Sequence, residues 1–152
     1  MAELKTELLC EMSITVGEVQ ELGATPHGKR VIVPVTGGTF AGPRLKGEVL
    51  PGGGDWLRVR PDSTQELDVR LTLRTNDGHL IYMSYRGFII DSPEVIQRRA
   101  SGEAIDPSET YWRTTHVFET GSEKYDWLNQ IMAVGVGGGL PGVVEYTVYS
   151  VL

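Results

Sequence analysis

The 152-residue sequence holds one cysteine, Cys10, so no disulfide can form within the chain and a cytoplasmic home is expected. Long apolar runs are missing. No segment approaches the roughly 20 residues that span a bilayer as a helix, and no membrane partner is expected. The opening Met1-Ala2-Glu3-Leu4-Lys5 lacks a basic stretch followed by an apolar one, so it does not read as a secretory leader. Positive charge is scarce and scattered: 14 Lys and Arg stand against 20 Asp and Glu, a net charge of -6. That balance argues against nucleic acid, whose phosphate backbone wants a basic face. His27, His79 and His116 lie far apart, and one cysteine cannot build a zinc site, so no metal is expected. The run Gly135-Val136-Gly137-Gly138-Gly139 leads into a proline and a strand, not a helix, and so is neither a dinucleotide fingerprint nor a phosphate loop. No Gly-x-Ser-x-Gly elbow occurs. No cofactor is implied.

What is abundant is period-two alternation. Hydrophobic residues at 40% and charged residues at 22% fit one globular domain covering residues 1–152. From Leu4 to Val16 the apolar residues fall mostly on even positions, as a half-buried strand requires. Arg30 to Val35 is β-branched, and Pro34, which cannot donate to a ladder, suggests an edge or a bulge. Leu67, Val69, Leu71 and Leu73 share one face of the next strand, with Glu66, Asp68, Arg70, Thr72 and Arg74 on the other. Asn76-Asp77-Gly78 supplies a hairpin turn, and His79 to Ile90 runs back with Gly87 as a possible bulge. Tyr111 to Thr120, about 129 to 136, and Val143 to Leu152 complete the strands. Ser92-Pro93-Glu94 reads as the start of one short helix that Gly102 stops, and Tyr125 to Leu128 as a helical turn. Many strands with glycine-rich turns indicate an all-β antiparallel barrel or sandwich. Glycines inside strands (Gly47, Gly87, Gly135) favour the barrel, where curvature needs them.

The densest punctuation lies between Gly37 and Trp56, with seven glycines and two prolines. The motif Gly37-Gly38-x-Phe40-x-Gly42-Pro43-x-Leu45-x-Gly47-x-Val49-Leu50-Pro51-Gly52-Gly53-x-Asp55-Trp56 resembles the signature of the bacterial and fungal "domain of unknown function 3237" family. Asp77-Gly78, Ile81-Tyr82, Gly87, Tyr111-x-Arg113-Thr114, Phe118-Glu119-Thr120 and Tyr125-x-Trp127-Leu128-Asn129 follow in order, so the resemblance spans nearly the whole chain. It implies a single closed antiparallel β-barrel of lipocalin-like shape with an internal cavity. Shape does not settle function.

Several residues are candidates for chemistry. Three glycines before Asp55-Trp56 let the chain fold tightly and present both at a barrel mouth. A carboxylate beside an indole has its pKa raised by desolvation, as an acid or base needs. Alternatively, Asp55 caps a turn while Trp56 fills the core. Arg70 suits a ligand carboxylate, unless its charged face is merely solvated. On the Tyr111 strand, Arg113 shares a face with Tyr111 and Thr115, while Trp112 and His116 share the other. The Arg113 face suits an anionic or carbonyl-bearing ligand and the His116 face an aromatic ligand with one proton-transfer group. Either face also reads as ordinary core or surface, and His116 as a structural histidine. Tyr82 offers a phenolic donor or simple packing.

Three functions remain open from sequence. One is a small cofactor-independent enzyme of isomerase, cyclase or hydratase/lyase type acting on a hydrophobic or aromatic carbonyl or carboxylate metabolite. There Asp55 is the acid or base, Tyr82 an oxyanion donor, Arg70 or Arg113 the anion anchor, and Trp56 and Trp112 apolar walls, with His116 beside them. The second is a non-catalytic small-molecule carrier. The third is a structural barrel filled by side chains. An unpaired edge at the C-terminal strand, with little charge, leads to the expectation of a homo-oligomer, a dimer or larger.

Overall fold

A computed structural model describes residues 1–152. Ten strands alternate with few helical segments: β1 (Thr6–Val16), β2 (Gln20–Thr25), β3 (Gly28–Ala41), β4 (Lys46–Val49), β5 (Gly54–Val59), β6 (Gln65–Thr75), β7 (Leu80–Ile90), β8 (Tyr111–Glu119), β9 (Ala133–Leu140) and β10 (Val143–Val151). One α-helix, α1 (Pro93–Ala100), begins where the sequence reading places it. The Ser92 side chain accepts the Val95 N–H and Pro93 takes the first turn.

The sheet closes because β1 pairs on both sides, with β10 along most of its length and with β3 over Glu11–Val16. Around the ring the order is β1, β10, β9, β8, β7, β6, then β4 and β5, then β3. β4 and β5 occupy one position between β3 and β6, so the barrel has eight staves, all antiparallel. The stave breaks at Pro51-Gly52, where Gly52 adopts φ 105°, a conformation that suits glycine. Nearby, a Cβ on Gly47 would sit 2.0 Å from the Arg74 carbonyl oxygen, so the strand crossing admits no side chain there. The glycine-rich segment therefore builds the end of β3, the broken stave and its turns.

Closure changes three expectations. β10 is paired with both β1 and β9, so the open C-terminal edge that suggested oligomerisation is absent. Pro34 is not at an edge, because β3 pairs with β5 there and the Pro34 carbonyl accepts the Gly17 N–H. The bulge offered as the alternative has its counterpart next to it, where the β1–β3 register shifts between Val35 and Gly37. Gly87 is not a bulge: β7 keeps unbroken register with β6 and β8 through it. A Cβ at Gly87 would lie 2.1 Å from the Arg113 carbonyl oxygen, which accounts for the glycine.

One end of the barrel, at the Asn76–Gly78 turn, is plugged by the 3-10 segment Asp126–Gln130, whose Leu128 is fully buried. The Tyr125 hydroxyl donates to Asp77 at 2.9 Å and Arg44 stacks on Trp127, which pins the plug. Above it lie Phe40, Leu71, Leu73, Ile81 and Met83, an apolar layer typical of a filled small barrel. The opposite end, where β6 and β8 begin, carries the polar groups.

Candidate functional site

Strand alternation separates the candidate residues. Asp55, Trp112 and His116 point into the barrel, whereas Trp56, Arg70, Tyr82 and Arg113 lie on its outer face. Asp55 sits opposite Val33 and Val69, and Val69 opposite Tyr85, all on the inner face. The expectation that Asp55 and Trp56 appear together at the mouth therefore fails, since adjacent strand residues face opposite ways.

Asp55 occupies a flaw in the ladder. β5 and β6 pair at Gly54–Arg70 and Asp55–Val69, then again at Arg58–Glu66, and the ladder is open between. Side chains serve the backbone there. Asp55 Oδ1 accepts the Asp68 N–H at 3.0 Å, and the Arg30 guanidinium donates to the Trp56 carbonyl at 2.7 Å. Asp55 Oδ2 has no protein partner. It is also not sealed, because the only sealed and unpartnered side-chain atoms are His116 Nδ1 and Ser122 Oγ. Burial pushes the Asp55 carboxyl up to about 6, with the Asp68 charge adding and the Asp68 N–H and Arg30 opposing.

Two tyrosines, Tyr85 and Tyr146, lie near enough to this carboxyl to feel its charge, and they belong to an aromatic cluster. Tyr85 stacks on His116 with centroids 4.4 Å apart, and Tyr146 meets Tyr85 edge-on at 5.2 Å. Trp112 Nε1 donates to the Tyr146 hydroxyl at 3.1 Å. Burial raises the pKa of both tyrosines, and the Asp55 charge adds to it, so both phenols keep their protons. His116 is fully buried, and burial alone lowers its pKa to about 3. Its Nε2 lies 2.7 Å from Thr114 Oγ1. A neutral, sealed imidazole is a platform under Tyr85.

The next strand makes room for these rings. In β9 the inward positions are Ala133, Gly135 and Gly137. A Cβ on Gly135 would meet Thr114 Oγ1 at 2.4 Å and His116 Nε2 at 2.7 Å, and one on Gly137 would strike the Trp112 ring at 2.5 Å. At the open end a recess of about 260 Å³ reaches Trp112, bordered by Gln65, Ile89, Arg99 and Val144.

The outward candidates do not join this cluster. Tyr82 lies with Thr72, Glu119 and Asn129 in a shallow recess across the sheet, out of reach of Asp55 as an oxyanion donor. Arg70 stands over Trp56 at 5.4 Å. Trp56 and Arg113 line a separate outer groove. Tyr85 and Tyr146 escaped sequence reading. The available signal was β9 itself, where alternating valine and glycine announces bulky inward neighbours.

Fold and interior together define a small closed antiparallel β-barrel with an inward, part-buried carboxyl near two buried tyrosines. No helix in it is long and apolar enough to cross a membrane. The chain belongs to the family described as "Protein of unknown function (DUF3237)", whose model matches residues 4–151. A UPF0311 protein of Rhodopseudomonas palustris is 33% identical over 149 residues, 98% of this chain and 97% of that protein. The crystal structure of a beta-barrel like protein from Acinetobacter baumannii is similar with a TM-score of 0.87 and 40% identity, over 100% of this chain and 98% of that one. A more distant relative, the "Hydroalkoxylation enzyme phnH" of Penicillium herquei, is 29% identical over 130 residues, 85% of this chain and 71% of that protein.

Proposed function

We infer that the protein is a cofactor-independent enzyme that transfers protons to and from a hydrophobic or aromatic substrate, in an isomerisation or an addition–elimination. One observation carries this reading: the inward Asp55 carboxyl, bonded through one oxygen and free at the other, with its pKa near 6. Such a group is half-ionised close to neutrality, where an acid that must become a base works best. Tyr85 and Tyr146, held protonated, are donors for a substrate oxygen that gains charge.

The name of the Penicillium herquei relative supports the addition branch, since hydroalkoxylation adds an O–H across a C=C bond. In such a step protonated Asp55 gives its proton to one alkene carbon while the hydroxyl oxygen bonds to the other. The hydroxyl proton then passes to the Asp55 carboxylate, and no electrons are exchanged with any cofactor.

A second reading has its own observation. Asp55 Oδ1 closes the β5–β6 ladder flaw, so the residue serves equally as a structural stitch in a carrier barrel. Asp55→Asn separates the two, because an amide still accepts the Asp68 N–H through its oxygen but cannot trade protons. Purified protein is incubated in D2O with a panel of aromatic compounds bearing hydroxyl, alkene and carbonyl groups, and deuterium on carbon is read by mass spectrometry. The enzyme reading expects incorporation that rises or falls with a midpoint near pH 6 and drops at least about 100-fold in Asp55→Asn. Equal incorporation by both proteins, or binding without exchange, defeats it.

A further inference from the structure

A recess lies on the outside of the barrel, a groove of about 960 Å³ across β5 to β9. Register explains its shape. One row of outward side chains runs Arg30, Arg58, Glu66, Phe88, Arg113, Val136, each opposite the next on the neighbouring strand. A second row runs Asp68, Arg86, Thr115, Val134. Between them the floor is the row Leu67, Gly87, Thr114, Gly135, whose side chains, where they exist, point inward.

The charges in this groove are uneven. Arg58 is held by Glu66 at 2.6 Å, and Arg86 lies 3.8 Å from Asp68. Arg30 and Arg113 have no carboxylate partner. Arg30 donates to the Trp56 carbonyl, and Arg113 donates to the Trp112 carbonyl at 3.0 Å and stands over Tyr111. Two guanidinium groups without an ion-pair partner thus flank Trp56, Phe88 and Tyr111, all substantially exposed, on a chain whose net charge is -6. Exposed aromatics beside unpaired arginines match a flat apolar molecule that carries an anionic group. The groove also meets the ladder flaw. Trp56 and Asp68 line it, and they bracket the opening that the Asp55 carboxylate and Arg30 stitch from either side.

We propose that this groove is the ligand-recognition surface of the protein, that it takes an aromatic carboxylate or a similar aromatic anion, and that it holds the ligand against the β5–β6 opening outside Asp55. The delivery to Asp55 rests on the enzyme reading above; the binding itself does not. Arg113 and Arg30 are the anion anchors, while Phe88, Tyr111 and Trp56 cover the ring.

The test is a titration of 15N-labelled protein with 1-naphthoate and with its neutral isostere 1-naphthamide. Amide shifts for naphthoate are expected to cluster on Trp56, Asp68, Phe88, Arg113 and Val136, with naphthamide weaker by about tenfold. Arg113→Gln should remove about that tenfold preference, and Thr115→Glu, which places a negative charge in the groove, should weaken naphthoate as well. Both positions are exposed, so neither variant threatens the core. Asp55→Asn should bind naphthoate as wild type does, even where exchange is lost, so failure of the enzyme reading leaves this result standing. Equal affinity for the two compounds, or shifts centred elsewhere, overturns the proposal. So does a dimer that Thr115→Glu dissociates, because the groove is then the interface between two copies.

Discussion

Asp55 and His116 lie on the same inner face with Val69 and Tyr85 between them, and their burial acts on stability in opposite directions. The folded pKa of Asp55 is raised from 3.8 to about 6, so the folded state holds its proton more tightly than the unfolded chain. That contribution is present below about pH 4 and lost as pH rises through 6, at a cost of about 3 kcal/mol by neutral pH. The folded pKa of His116 is lowered from 6.5 to about 3, so its contribution is complete above 6.5 and lost as pH falls toward 3. Replacing Asp55 with Asn removes the first effect and leaves the second. Urea denaturation should therefore show Asp55→Asn gaining on wild type between pH 4 and 7, by about 1–3 kcal/mol, with little difference at pH 4. Parallel curves for the two proteins would mean that the carboxyl is not desolvated. A residue that weakens the fold at working pH is a common mark of function.

Among the elements, β8 and β9 form a matched pair, with bulky inward residues on one and alanine or glycine on the other. Gly137→Ala should cost about 1–3 kcal/mol through the clash with the Trp112 ring. Trp112→Phe in the same background should recover part of it, which thermal unfolding followed by circular dichroism would measure. A loss unchanged by the second substitution would place the cost in the backbone instead. At this scale the sequence was readable where alternation is clean: β6, β7 and β8, the turn between β6 and β7, and the Ser92-capped helix all fall within a residue or two of their expected bounds. It was least readable where glycine carries packing information. Alternation cannot say that Gly87 is crowded by a neighbouring strand, nor that β4 and β5 share one stave. The true start of β9 at Ala133, several residues beyond the expected one, follows from the plug preceding it.

The molecule as a whole divides into a plugged apolar end and a polar end, and the candidate site belongs to the second. Leu128→Ala should therefore lower stability by about 2–5 kcal/mol while leaving the affinity of the outer groove unchanged, as titration of the folded variant would show. The division also explains what sequence could say about the site. Asp55 was legible because three glycines and an indole mark it, but which way it points depends on register with β3 and β6. Tyr85 and Tyr146 were not legible, because a strand tyrosine reads as packing until closure of the sheet brings β7 and β10 beside β5. For the same reason sequence left His116 open between core and ligand wall, whereas complete burial keeps it neutral. The central claim is that the barrel interior holds a carboxyl tuned toward neutrality, and a pH titration of the Asp55 side-chain 13C resonance tests it most directly. The account predicts a midpoint near 6. A midpoint at or below about 4, the ordinary aspartate value, would contradict it.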